Sequence, residues 1–170
     1  MDKLKLIFNK THEIIIGALH LPPLAGYPDF PGYDIAGKNA ISDLTAFENG
    51  GADSVIFENN YDIPHKESLA PEAAECMLEL GKSITNNTTL PIGISVLWND
   101  YRTALTIAKK LDLKFIRIPV FVDTVKTSYG IMNPCAKDAI NFRKNIGADS
   151  VAIFTDIHVK HSEIISEYTI

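Results

Sequence analysis

The chain has 170 residues, 46% of them apolar and 22% charged, which is enough to bury a core and argues against disorder. Its net charge is −5 and its basic residues gather only in pairs such as Lys109-Lys110, so it lacks the footprint of a nucleic-acid binder. No apolar run approaches the ~20 residues of a membrane span, and residues 1–10 mix apolar and charged side chains unlike a signal peptide. The expectation is a single cytoplasmic domain over residues 1–170, with peripheral contact to a membrane left open.

Residues 14–19, a run of isoleucines ending in Gly-Ala-Leu, are predicted as the first strand. A loop over residues 21–34 follows, rich in proline and aromatic residues. Residues 39–48 place Ile41, Leu44 and Glu48 at helical spacing. Residues 54–58 give the second strand, and residues 71–83 the second helix, opened by Pro71 at a first helical position. The third strand is predicted over 91–97. The third helix spans 100–111, with Asp100 as cap and a stripe of Ala104, Leu105, Ala108 and Leu111. The fourth strand covers 115–120, a second loop 121–133, the fourth helix 134–146 and the fifth strand 150–155. These strands are continuous apolar runs rather than alternating ones, the habit of parallel sheets covered on both faces. Cys76 and Cys135 fall within predicted helices without CxxC spacing and read as reduced structural residues.

One phrase occurs twice. Gly51-Ala52-Asp53-Ser54-Val55 and Gly147-Ala148-Asp149-Ser150-Val151 each read as a helix end, a glycine turn and a buried strand. They are separated by about three βα units of ~30 residues. The order is therefore β-α-β-α-β-α-β-α-β, with right-handed crossovers.

Polar residues collect where strands end: His20; Glu58 and Asn59; Asn99 and Asp100; Arg117; and Asp156, His158, Lys160 and His161. Parallel strands point their ends the same way, so these side chains converge on one mouth. Asp156 and His158, two apart, are expected to share a face. Arg117, set between isoleucines, requires a carboxylate or a bound anion if buried; Glu58 or Asp156 supplies the first, a substrate phosphate the second. The bland readings are an ion-pair brace for Arg117, Glu58 and Asp156, loop packing for His20, a helix N-terminus for Asn99-Asp100, and a solvated surface position for Lys160. No HxH or HExxH occurs and no metal site is expected. The absence of GxSxG, Walker and GxGxxG patterns leaves no nucleophile elbow and no standard nucleotide loop. The residues reach a polar mouth suited to a small anionic ligand. They reach neither a reaction nor a cofactor.

Several stretches together resemble the BtpA family: GALHLPPLAG at 17–26, GAD at 51–53 with Glu58-Asn59, PIG at 91–93, LWND at 97–100, FIR at 115–117, GI at 130–131, and Asp156 with VKH at 159–161. The resemblance implies a TIM-type (β/α)8 barrel, similar to ribulose-phosphate-binding barrels, with polar residues at its C-terminal mouth, where the residues already suggest a small-anion (phosphate-type) ligand site. On that reading Glu58 and Asp156 are the acid/base candidates. His20, Asn59, Asn99, Asp100, Arg117, His158, Lys160 and His161 line the ligand site. The family name implies the alternative of a non-catalytic assembly or stability factor for a membrane complex such as photosystem I. Ser95, Pro119 and Ser128-Tyr129 depart from the family's usual residues and alter the polar lining.

An eight-fold barrel takes about 250 residues. Five βα units are expected here, an incomplete barrel with an exposed edge and an exposed apolar inner face, read as a truncated or split gene product or as a piece completed by another chain or by oligomerisation. An open five-stranded doubly wound sheet is the alternative fold.

Overall fold

Each of the apolar runs forms a strand. The computed structural model describes residues 3–166. In chain order its elements are α1 (Lys3–Phe8), β1 (Ile16–His20), α2 (Tyr33–Asn49), β2 (Ser54–Glu58), α3 (Pro71–Asn86), β3 (Ile92–Ser95), α4 (Tyr101–Lys110), β4 (Phe115–Ile118), β5 (Val125–Thr127), β6 (Gly130–Met132), α5 (Ala136–Asn145), β7 (Ala152–Thr155) and β8 (Glu163–Ile164). β1, β2, β3, β4 and β7 form a parallel sheet in that order. Spatial order follows chain order without a reversal. Right-handed crossovers then carry all the connecting helices to one face, as in a TIM-type barrel. A doubly wound sheet needs a point where the order reverses, so that alternative is overturned.

The register sorts the strand residues into rows. Leu19, Phe57, Ile94, Ile116 and Ile153 lie side by side on the outer face, packed under α2–α5 in the main core. One residue back, Ala18, Ile56, Gly93, Phe115 and Ala152 line the inner face. One residue forward, His20, Glu58, Ser95, Arg117 and Phe154 form the inner row nearest the strand ends. The inner face is thus apolar in its middle and polar at its C-terminal rim, because side chains repeat with period two along each strand.

Gly93 is fixed by this packing. A Cβ there would stand 2.2 Å from the Phe115 ring, so the ring occupies the space that glycine leaves. Gly51 and Gly147, the first residues of the repeated phrase, both carry positive φ, 79° and 65°. Each turns the chain from a helix end into the next strand, where a residue with Cβ would be strained.

Several expectations are corrected. The inner face is not left bare: α1 lays Phe8 on Phe115 and Phe154, with ring centroids 5.7 and 6.1 Å away. α2 begins at Tyr33 rather than at residue 39, which shortens the proline loop. The segment 121–133 is not simply a loop; β5 and β6 pair as an antiparallel hairpin, and β8 adds to β5. β7 ends at Thr155, so His158, Lys160 and His161 stand on a connection beyond the strand, and strand parity does not relate His158 to Asp156. Cys135 is the residue before α5, not within it, whereas Cys76 is buried inside α3.

Candidate functional site at the C-terminal mouth

Arg117 is the centre of the polar rim. Its Nε and Nη2 donate to Asp156 Oδ1 and Oδ2 at 2.9 and 2.7 Å, and its Nη1 donates to Glu58 Oε1 at 3.2 Å. Glu58 and Arg117 are two strands apart, about 9.5 Å at the usual interstrand spacing. Ser95 lies between them in register, and its small side chain leaves room for the guanidinium to cross β3. Ser95 Oγ is itself buried without a partner. Burial works against the charge on Arg117, but the hydrogen bonds it donates to Asp156 and the nearby charge of Glu58 outweigh it and hold the guanidinium's pKa above its ordinary value. Of the two readings open for Arg117, the structure supplies carboxylates.

Glu58 is buried, with 8% of its side chain exposed. Its second oxygen, Oε2, lies 3.7 Å from His20 Nε2 across the β1–β2 register pair. The rim therefore runs His20, Glu58, Arg117, Asp156 as alternating basic and acidic groups. Above it opens a cleft of about 510 Å³, lined by His20, Glu58, Arg117, Lys160 and His161 together with His65, Trp98 and Tyr129. That volume falls in the usual range for small-molecule sites, about 300–1,000 Å³.

The remaining candidates sit elsewhere. Asn59 is fully buried and braces the backbone: Oδ1 accepts from Leu97 N at 2.7 Å, and Nδ2 donates to Asp62 Oδ2 and to the Leu97 carbonyl. Asn99 bridges to Val120, donating to its carbonyl at 2.7 Å and accepting from its N–H at 3.0 Å. Asp100 caps α4, accepting from Thr103 N at 2.9 Å and Thr103 Oγ1 at 2.7 Å, and also accepts from Leu69 N at 2.9 Å. The polar atoms of these three residues are committed to the protein rather than to the cleft. Asp156 is paired with Arg117 and His158 is exposed, and both are outside the cleft lining.

His65 carries no motif, whereas Trp98 lies in the LWND stretch and Tyr129 in the Ser128-Tyr129 pair, neither of which announces an aromatic cluster. His65–Tyr129, Trp98–Tyr129 and His65–Trp98 ring centroids are 5.2, 6.2 and 6.3 Å apart. Burial lowers the pKa of His65 and keeps its imidazole neutral. Asp62 was also missed: it accepts from Leu24 N at 2.8 Å and so ties the proline loop to the end of β2. Burial raises its carboxyl pKa, opposed by the bonds from Leu24 and Asn59. Among the described residues no three His, Cys, Asp or Glu side chains gather as a metal ion would need, and no helix is long and apolar enough to cross a membrane.

The sequence model of the BtpA family matches residues 11–170. An uncharacterized protein of Pyrococcus horikoshii is 32% identical over 93% of this chain and 61% of its own length. The photosystem I biogenesis protein BtpA of Synechocystis is 34% identical over 90% of this chain and 54% of its own length. The sgc region protein SgcQ of Escherichia coli is 29% identical over 86% of this chain and 55% of its own length. The chain thus spans little more than half the length of these relatives. Among solved structures, 7,8-dihydropteroate synthase from Vibrio fischeri superposes with a TM-score of 0.57 at 12% identity, covering 84% of this chain and 44% of the synthase. That likeness is one of fold.

Proposed function

Since the chain belongs to the BtpA family, we propose that it keeps a ligand site at the C-terminal mouth of its barrel strands and that the ligand is a small phosphorylated or similarly anionic molecule. The observation that carries this reading is the cleft itself, which Lys160 and His161, from the connection beyond β7, line together with His20 and the buried carboxylate of Glu58 at the ends of β1 and β2. Arg117 is neutralised by Glu58 and Asp156, so the ammonium of Lys160, which forms no ion pair among the described residues, is the group that meets the anion. Glu58 is the acid/base candidate, because one of its oxygens faces His20 and the cleft. Asp156 spends both oxygens on Arg117 and acts as a positioning residue.

Thermal melting against inorganic phosphate and a panel of phosphorylated metabolites tests this. A ligand at a hundred times its Kd stabilises the native state by about 2.7 kcal/mol, a readily measured rise in Tm. The rise is expected in wild type, weakened in Lys160→Ala. A panel in which no phosphorylated compound shifts the melt, or in which Lys160→Ala and a Glu58→Gln/Asp156→Asn double variant respond like wild type, overturns it.

A second reading has one observation in its favour, the name of the Synechocystis relative. On it, the chain is a non-catalytic assembly or stability factor for a membrane complex such as photosystem I. Purified chain that fails to associate with isolated photosystem I or its assembly intermediates, at micromolar concentration and low salt, removes that reading.

A further inference from the structure

The aromatic wall of the cleft is not used by an anion, and it points to the rest of the ligand. His65 stands on the connection after β2, Trp98 just past β3 and Tyr129 on the turn between β5 and β6, so three separate segments bring three rings together. The same three residues also line a second cleft of about 440 Å³, so they border open space rather than sit in the core. Trp98 Nε1 and His65 Nδ1 are buried with no hydrogen-bond partner, a donor and an imidazole nitrogen that no protein group satisfies.

The polar residues at the neighbouring strand ends are, by contrast, already engaged. Asn59, Asn99 and Asp100 hold backbone groups and the α4 cap, and Asp156 holds Arg117. The cleft lining itself sets the small polar side chains of Asn60 and Ser128 beside three rings packed edge-to-face or tilted, with interplanar angles of 87°, 73° and 50°, and beside the unsatisfied Trp98 N–H. Resting on the anion-site reading above, we propose that the ligand carries a flat heteroaromatic ring against the Trp98–Tyr129–His65 wall and its phosphate toward Lys160 and His161. The site then takes a phosphorylated heterocycle of the size of a nucleoside monophosphate, in preference to a sugar phosphate.

Trp98 is the single tryptophan of the chain, so its emission reports directly on the wall. The probes are AMP, UMP, ribose-5-phosphate and inorganic phosphate, titrated with red-edge excitation and, in parallel, by calorimetry. Stacking a base on an aromatic face corresponds to about tenfold or more in affinity. AMP or UMP is expected to alter Trp98 emission saturably and to bind at least about tenfold more tightly than ribose-5-phosphate. Tyr129→Leu, an exposed turn position where folding is not at stake, is expected to erase that preference while leaving phosphate binding intact. Lys160→Ala is expected to do the reverse, weakening the binding of inorganic phosphate while the nucleotides keep their preference over ribose-5-phosphate. If ribose-5-phosphate binds as tightly as the nucleotides and Tyr129→Leu changes nothing, the ring assignment falls and the anion site stands. If neither nucleotides, ribose-5-phosphate nor phosphate bind, both fall.

Discussion

Arg117 and Asp156 meet fork to fork, with two parallel hydrogen bonds of 2.9 and 2.7 Å joining the end of β4 to the residue after β7. This pair ties the outermost strand of the sheet to its neighbour: Arg117 stands opposite Phe154 in the ladder and its side chain reaches Asp156, one residue beyond the last ladder pair, Ile118 with Thr155. Truncating Asp156 leaves a half-buried guanidinium with one weaker partner. Asp156→Ala is expected to lower stability by about 1–3 kcal/mol, the penalty of a polar group left short of a partner, and Glu58→Gln by less, because its single bond is 3.2 Å. Arg117→Lys is expected to behave like the Asp156 variant, since an ammonium cannot make the fork. Urea denaturation checks the order; equal midpoints for wild type and Asp156→Ala would show that the pair contributes nothing.

His65 gives the fold a pH dependence of definite sign. Its folded pKa lies below the ordinary 6.5 because burial penalises the charged ring. Above 6.5 both folded and unfolded states hold it neutral, and it adds no slope. As pH falls below 6.5, the unfolded chain takes up the proton first, so native stability declines until the folded pKa is passed. Replacing the ring, as in His65→Phe, is expected to flatten that part of the profile. Denaturation midpoints measured from neutral to mildly acidic pH carry the test, and an unchanged slope in the variant refutes the assignment.

Cys135 is expected to be a poor nucleophile although it lines the second cleft. Burial, with Asp138 nearby, pushes its thiol up to about 11 against the hydrogen bond from Asn99. At mildly alkaline pH that leaves about a hundredfold less thiolate than an ordinary thiol with a pKa near 9. Alkylation by iodoacetamide should be slower than for a free cysteine by about that factor. Asn99→Ala is expected to slow it further by removing the bond that favours the thiolate. A Cys135 modified as fast as free cysteine contradicts the buried arrangement.

The strands were legible because each is a short β-branched run closed by Gly, Pro or Asp, and the repeated glycine phrase marked two of the turns. The partner of Arg117 was legible too, since a buried guanidinium between isoleucines demands a carboxylate or anion and Glu58 and Asp156 stand at strand ends. Other features depend on contacts far apart in the chain. α1 is too short to persist by propensity, and Phe8 finds its place only against Phe115 and Phe154. β5 pairs with β8 across the whole of α5 and β7, a pairing no local pattern announces. Asn59 and Asn99 look in sequence like ligand groups at strand ends, whereas the capping role of Asp100 is legible from its place before α4. Whether such a side chain turns to the cleft or to a neighbouring backbone is decided by the next loop. The aromatic wall joins positions 65, 98 and 129, whose spacing has no period.

Gly93 links the apolar middle of the inner face to the polar rim above it. Its missing Cβ is filled by the Phe115 ring, which is 1% exposed, stacks on Phe154 at 4.7 Å and carries Phe8 on its edge. Arg117 stands two residues along the same strand on the same face, so a displaced Phe115 disturbs the base on which the guanidinium rests. Gly93→Ala is expected to destabilise the fold by about 1–3 kcal/mol, the usual range for overpacking a filled core. The cause is steric, so shrinking the obstacle should relieve it. Phe115→Leu alone opens a cavity and costs stability, but added to Gly93→Ala it returns space for the new methyl. The double variant should therefore be more stable than the sum of the two single losses, by more than about 0.5 kcal/mol, the usual limit of additivity. A double-mutant cycle by urea denaturation measures that coupling. Strict additivity would mean that backbone strain at position 93, and not the Phe115 ring, sets the requirement for glycine.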